Sequence, residues 1–346
     1  MSNALNGSAV DHEALEEWLS RPTDAAVEVC RRLEGDIILL GAGGKMGLSL
    51  ARMIRRASDQ AGSRRRVIGV SRFTSPHTAH ELRLAGVEPV ACDLMDREAV
   101  RRLPQAPHVI FMAGHKFGTS EVPELTWVAN TLVPAIVAEH FARSHIVVFS
   151  TACVYPLTPV TSAGSCEDDA LGPPGEYASS CVGRERIFTH FSKHHGTRML
   201  MYRLSYAIDL RYGVLHDVAW KVARGQPVDV TMGYANVIWQ GDANARAVQC
   251  LEYATVPPVA LNVTGLERVS IRQLAHRFGG LLGRDPVIVG EEAATAWLFD
   301  ARRSFDLLGP VSVTLDEMIE AMAGWVKADG PSLGKPTHFE TRDGQF

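Results

Sequence analysis

Short apolar runs alternate with longer amphipathic stretches over most of the chain. The runs 37–40, 67–70, 87–92, 109–112, 146–149 and 199–204 have the length and the Val/Ile enrichment of buried strands. The stretches between them, 45–57, 78–85, 97–103, 123–141 and 177–195, carry apolar residues at helical spacing. Strands apolar on both faces, separated by helices, predict βαβ units, and hence an α/β fold with a doubly wound, Rossmann-like parallel sheet. Beyond about residue 205 the alternation loosens. Short strand candidates at 228–231, 236–239, 260–263 and 286–289 and helices at 242–253, 270–282 and 315–326 predict a smaller C-terminal α+β lobe. Ahead of the first strand, Ala14, Leu15 and Trp18 suggest helical turns. The expected organisation is a helical arm (1–34), a sheet domain (35–205), a lobe (206–328) and a surface tail (329–346).

Composition narrows the partners. The chain has 346 residues, 46% hydrophobic and 21% charged, enough apolar material for a packed core and too much for a disordered protein. A formal charge of −4 leaves no basic footprint for nucleic acid or an anionic membrane, so a small-molecule partner is expected. The six cysteines (Cys30, Cys92, Cys153, Cys166, Cys181, Cys250) are scattered without a C-x-x-C pair, so neither a disulfide framework nor a metal site is expected. Charged residues interrupt the first 30 positions, and no apolar run approaches the roughly 18 residues of a membrane helix. The expectation is a soluble, cytoplasmic protein.

Candidate chemistry begins at the first strand, which runs into Gly41-Ala42-Gly43-Gly44-Lys45-Met46-Gly47 and then a helix. In that context glycines permit a tight turn and let the backbone approach a pyrophosphate, which the N–H groups and positive dipole end of the helix then face. Gly41, Gly43, Gly44, Lys45, Met46 and Gly47 are therefore candidate contacts for NADP or NAD. The second strand ends in Ser71-Arg72. An acid commonly stands there to hold the ribose 2′-hydroxyl of NAD. Arg72 offers instead a fork for a 2′-phosphate, which favours NADP.

Further along come Asp93-Leu94 after the third strand and Ala113-Gly114 after the fourth. Ser150-Thr151-Ala152-Cys153-Val154-Tyr155 follows the fifth, and Tyr177-Ala178-Ser179-Ser180 opens a helix. With the G-x-x-G-x-x-G reading of the loop, this order resembles the extended short-chain dehydrogenase/reductase family, which includes the NAD-dependent epimerases and dehydratases of sugar nucleotides. Asn130 in mid-helix, Asp242, Leu261-Asn262-Val263-Thr264-Gly265 and the segment from Asp300 to Gly309 extend the resemblance over residues 36–328. It implies that Asp93 and Leu94 contact the adenine and that Ala113 and Gly114 line the cofactor groove. It also implies that Thr151 hydrogen-bonds the reacting oxygen and that Tyr177 moves a proton while the nicotinamide moves hydride. The family's helices at 123–141 and 177–195 often form a two-fold interface, so a homodimer is implied as well.

The chain departs from the family at one position. The family's tyrosine is followed four residues later by a lysine, which lowers the tyrosine pKa. Here that position is Cys181. Bringing a tyrosine from about 10 to about 7 takes roughly 4 kcal/mol of electrostatic help, which a neutral thiol does not supply. Lys116, just past the fourth strand, and Arg184, one further turn along the Tyr177 face, are the candidate substitutes, with Lys116 preferred. The oxidised nicotinamide carries a positive charge of its own. Lys116, Arg203 and Trp239 are candidate substrate contacts, and His115 is either another or a hydrogen-bonded structural histidine. The pair His194-His195 reads as a solvated helix end.

The leading expectation is an NAD(P)-dependent oxidoreductase, epimerase or dehydratase acting on a hydroxyl or carbonyl of a sugar, sugar nucleotide or related molecule. Thr151, Tyr177 and Lys116 would carry the chemistry. One alternative is an NADP-binding sensor with lost or altered catalysis, suggested by Cys181. Another follows from Gly44-Lys45-Met46-Gly47, which resembles the loop of dihydrodipicolinate-type imine reductases.

Overall fold

Strand β1 (Ile37–Leu40) shows how the sequence builds the sheet. All four residues are buried, Ile37 and Leu39 in one apolar layer and Ile38 and Leu40 in the other. Each such side chain contributes roughly 1.5–3 kcal/mol on leaving water, which is why the run lies between helices on both faces. The computed structural model describes residues 11–116, 121–335 and 337–345. Around β1 it places β2 (Val67–Ser71), β3 (Glu88–Ala91), β4 (His108–Phe111), β5 (His145–Thr151), β6 (Met199–Leu204) and β7 (Val259–Val263). All pairs are parallel and the order is β7-β6-β5-β4-β1-β2-β3. The direction of winding reverses between β1 and β4, and the crevice beyond the carboxyl ends there is where ligands bind in such sheets.

Helices α1 (His12–Ser20), α2 (Asp24–Arg32) and α3 (Gly47–Gln60) precede and follow β1. Next come α4 (Pro76–Leu84), α5 (Arg97–Arg101), α6 (Pro123–Trp127), α7 (Val133–His140) and α8 (Glu176–His195). The lobe carries α9 (Val214–Arg224), α10 (Gln240–Gln249), α11 (Ile271–Leu282), α12 (Arg302–Leu308) and α13 (Leu315–Lys327). Capping sets several limits. Asp11, Thr23 and Ser270 cap α1, α2 and α11, Thr314 and Glu317 form a capping box on α13, and left-handed glycines at 196, 225 and 283 end α8, α9 and α11.

Four features differ from the sequence reading. The strand expected at 260–263 is not in the lobe: β7 joins the large sheet beside β6, because Leu261 and Val263 complete its core. The helix expected over 123–141 is interrupted by a π turn at Val128–Leu132. The arm is packed rather than appended, with Leu15 and Leu19 in the lobe's core and Ala26, Val29 and Cys30 in the sheet's. The tail folds back onto the body through Phe339. Residues 1–10 of the arm lie outside the described residues.

Candidate active site

The phosphate loop is built as its glycines require. Gly41 leaves β1 with φ +103°, and a Cβ there would sit 2.7 Å from the Ala113 nitrogen on β4's extension. A Cβ on Gly43 would collide with Ser71 Oγ at the end of β2. The turn is closed by Gly44 N–H to Gly41 O and Gly47 N–H to Gly44 O, both 3.0 Å. Helix α3 then starts at Gly47, and Met46 ahead of it supplies no side-chain cap, which leaves its first N–H groups available to an anion. Arg72 is exposed at the rim, Asp93 Oδ1 turns back to the Met95 N–H at 3.0 Å, and Leu94 is buried beneath. The close approaches at Gly41 and Gly43 and the uncapped helix fit a dinucleotide. Gly41, Gly43, Gly44, Met46 and Gly47 would cradle its phosphates, and Ala113 and Gly114 would line its path.

Lys45 lies in the turn ahead of α3 and crosses the crevice. Its Nζ donates to Ala207 O at 3.1 Å and sits 4.0 Å over the Tyr212 ring. The side chain is exposed overall, while the ammonium is part-buried against Ala207 O. Burial brings its pKa down to about 7; the Asp209 carboxylate opposes this, and Lys116 and Arg211 reinforce it.

At the other end of the crevice, β5 delivers Thr151, whose Oγ1 accepts from Cys153 N–H at 3.2 Å. Tyr177 lies in the first turn of α8, and its hydroxyl shares a hydrogen bond with the Cys181 thiol one turn on. Burial and the neighbouring Cys181 push Tyr177 well above the usual 10, and Arg184 only partly offsets them. Cys181 is 0% exposed, and burial raises its thiol too. Lys116 occupies the same neighbourhood. Burial lowers its pKa, while the thiols of Cys153 and Cys181 and the Asp217 carboxylate act in the opposite direction.

Arg184, the other candidate cation, is committed to the fold. Its Nη1 donates to Phe149 O at 2.8 Å and its Nη2 to Asn130 Oδ1 at 2.5 Å. Asn130, displayed by the π turn, also accepts from His115 N at 3.1 Å, and its Nδ2 donates to His115 O at 3.0 Å and Ser180 Oγ at 2.9 Å. One side chain thus locks the segment bearing Lys116 to the helix bearing Tyr177. The π turn is the local distortion that aims it there. The His115 ring is engaged with Thr126 Oγ1 at 3.1 Å.

Two expected substrate contacts are placed elsewhere. Arg203 is 6% exposed and forms a two-pronged pair with Glu185 at 3.0 and 2.7 Å, with further bonds to Tyr155 Oη at 2.6 Å and Glu167 O at 3.2 Å. Trp239 is 1% exposed and packs on Trp18, their rings 4.0 Å apart. Both are core groups because their strands point inward. His194 and His195 stay exposed at the end of α8. The motif residues Asp242 and Asn262 act as ties: Asp242 accepts from Ser312 and Val313, and Asn262 joins Tyr155 to Ser165 and Asp300.

Sequence reasoning gave no role to Tyr206, Tyr212 or Asp217, yet the Cys153 thiol acts on Tyr206, the Tyr212 ring lies beneath Lys45 Nζ, and the Asp217 carboxylate acts on Lys45 and Lys116. Tyr206 has φ +30°, an uncommon backbone state for a tyrosine. No sequence motif marks these residues.

A doubly wound parallel sheet with a glycine loop at its switch point defines a dinucleotide-binding α/β protein. The chain belongs to the NAD dependent epimerase/dehydratase family, whose sequence model matches residues 37–213, and it is an enzyme of that family. No curated protein matches it in sequence. Among solved structures it is similar to the UDP-glucose 4-epimerase of Thermotoga maritima with UDP-glucose (14% identity, TM-score 0.72, covering 85% of this chain and 99% of that one). It is also similar to an epimerase of Methanothermobacter thermautotrophicus (16%, 0.71, 89% and 97%). A third is the UDP-glucuronic acid 4-epimerase of Bacillus cereus in complex with NAD (16%, 0.70, 86% and 99%). At these identities the likeness is one of fold. Among the described residues no helix is long and apolar enough to cross a membrane.

Proposed function

We propose that the protein transfers hydride between a nicotinamide cofactor and a carbon bearing a hydroxyl or carbonyl in a sugar-like substrate, as an oxidoreductase, epimerase or dehydratase. The observation that carries this reading is the grouping of Tyr177, the Thr151–Cys153 turn and Lys116 at the switch point, at the end of the crevice away from Arg72. When bound, the nicotinamide supplies or accepts the hydride. Thr151 Oγ1 orients the substrate oxygen. Tyr177, held neutral by its raised pKa, donates its phenolic proton to that oxygen as negative charge develops there, and regains it in the reverse direction. Arg184 is the cation that acts on Tyr177, and Lys116 adds positive charge beside the Cys153 thiol. Support for a carbohydrate-like substrate comes from the family and from neighbours crystallised with UDP-glucose.

The cofactor is NADP in preference to NAD. Arg72 is exposed beside the loop, with no acid at the end of β2 to compete for it. In fluorescence titrations Arg72→Ala is expected to weaken NADPH by about tenfold or more and to leave NADH little changed. Equal losses for both would refute the preference. Exposed Leu125, Trp127 and Leu132 on the α6–α7 side support pairing of two copies along α6–α8.

Tyr177→Phe tests the mechanism. Turnover with a panel of sugars and sugar nucleotides is expected to fall about 10²–10⁴-fold, with cofactor affinity retained. Undiminished turnover refutes Tyr177 as the proton carrier. Cofactor binding with no wild-type turnover on any substrate would favour the sensor reading, which the Tyr177–Cys181 pair motivates.

A further inference from the structure

Residues 337–345 leave the lobe and return to the Tyr177 end of the sheet domain. Thr337 ties them to α9 through two hydrogen bonds to Asp217 Oδ2, from its N at 2.8 Å and its Oγ1 at 2.5 Å. Phe339 is 1% exposed in the lobe's core, with Lys221 Nζ 5.5 Å over its ring and 3.4 Å from the Glu340 carboxylate. Arg342 donates to both the carbonyl and the Oγ1 of Thr295 at 2.6 Å, and its Nη1 lies 3.8 Å from Met232 Sδ. Gly344, at φ +77°, rests against Pro174 and Gly175, directly before the turn of α8 that presents Tyr177. A Cβ on Gly175 would lie 2.5 Å from Gly344 O.

Through Arg342 and Met232 this course meets the apolar cluster on which Tyr177 packs. Met232 belongs to the apolar cluster of Cys181 and Tyr155, against which Tyr177 and Cys153 pack. The Cys153 thiol and the Glu340 carboxylate both act on the Tyr206 hydroxyl. Asp217, which anchors Thr337, acts on Lys116 and Lys45 as well. The segment is thus fixed to the lobe at one end and to the start of α8 at the other.

We propose that residues 337–345 form the outer wall of the substrate cavity and restrict it to compact, sugar-sized ligands, with the contact of Gly344 on Gly175 as the seam that closes the wall against α8. The proposal rests on the reading of the Tyr177 centre as the reaction site. A ligand with a second bulky group attached to the sugar must part this seam, which costs the Gly344 backbone packing and the Arg342–Thr295 bonds while Phe339 and Thr337 stay seated.

Cys153, half-buried against the cluster that holds Cys181 and Met232, reports on the wall without any turnover. In the full chain carrying Cys166→Ser to remove a competing thiol, the rate of Cys153 modification is measured with methyl methanethiosulfonate and with fluorescein maleimide, the site being confirmed by mass spectrometry. Gly344→Ala sets a Cβ against the Pro174 carbonyl at a strained φ and parts the seam, leaving the Phe339 anchor in place. The bulky reagent is expected to gain about tenfold or more and the small one less than about threefold. Arg342→Ala, which frees Thr295, is expected to show the same size selectivity and replaces Gly344→Ala if circular dichroism shows that variant unfolded. Rates that rise equally for both reagents, or do not rise, overturn the wall. Failure of NADPH binding or of Tyr177-dependent turnover would instead strike the proposed function, and the labelling result would stand.

Discussion

Glu185→Gln should cost this protein a large part of its stability, because it discharges one half of a buried ion pair. Glu185 is 5% exposed on α8, and its oxygens accept from Arg203 at 3.0 and 2.7 Å and from Ser150 Oγ at 2.6 Å. Burial alone would lower the Arg203 pKa, but the Glu185 carboxylate, with Tyr155, holds it above its ordinary value. Replacing the carboxylate by an amide leaves the guanidinium desolvated without a counter-charge at that contact. Breaking such a pair from one side costs about 3–5 kcal/mol. Urea unfolding followed by circular dichroism measures the loss directly. The double variant Glu185→Leu/Arg203→Met, which removes both charges, is expected to cost well under the sum of the two single changes. A loss below about 1 kcal/mol in Glu185→Gln, or additive single and double losses, would refute the reasoning. The pair also sets function, since Ser150 precedes Thr151 and Glu185 lies two turns beyond Tyr177 on the same helix. The network fixes the register of the two proposed reacting side chains.

Two pH dependences follow from the buried bases. Lys45, brought to about 7 by burial, is charged below that pH and neutral above it. An anionic dinucleotide favours the charged form, so affinity is expected to be flat below about 7 and to fall by up to about tenfold per pH unit above it. Isothermal titration should show the slope reduced in Lys45→Met, and an identical profile in the variant would refute the role. His108, buried on β4 with Nε2 3.0 Å from Glu34 O, is lowered by burial to about 4 from an unfolded value near 6.5. Its contribution to stability is whole above about 6.5 and is lost as the pH falls toward about 4, by at most about 3 kcal/mol. Urea midpoints across that range should show a shallower acid slope in His108→Gln; an unaltered slope would count against it.

The layered sheet was legible because its signal is local. A run such as Ile37–Leu40, buried on both faces, has few other places to go, and the glycine loop after it announces a switch-point crevice. Thr151 and Tyr177 were named from the family resemblance, and the structure puts Thr151 at the end of β5 and Tyr177 in the first turn of α8. Lys116 was placed from its position just past β4, and the fold brings it beside the thiols of Cys153 and Cys181. What local pattern did not reveal is direction. Arg203 and Trp239 have the composition of ligand contacts, but strand pairing turns one toward Glu185 and the other toward Trp18.

By itself, then, the sequence determined the class of fold and the glycine loop after β1, because each is written in neighbouring residues. Only the tertiary structure decided which charges meet. Long-range packing locks Asn130 between His115 and Arg184 and seats Gly344 against Gly175. Those partners are far apart in the chain, and their strengths depend on how much water the finished fold excludes.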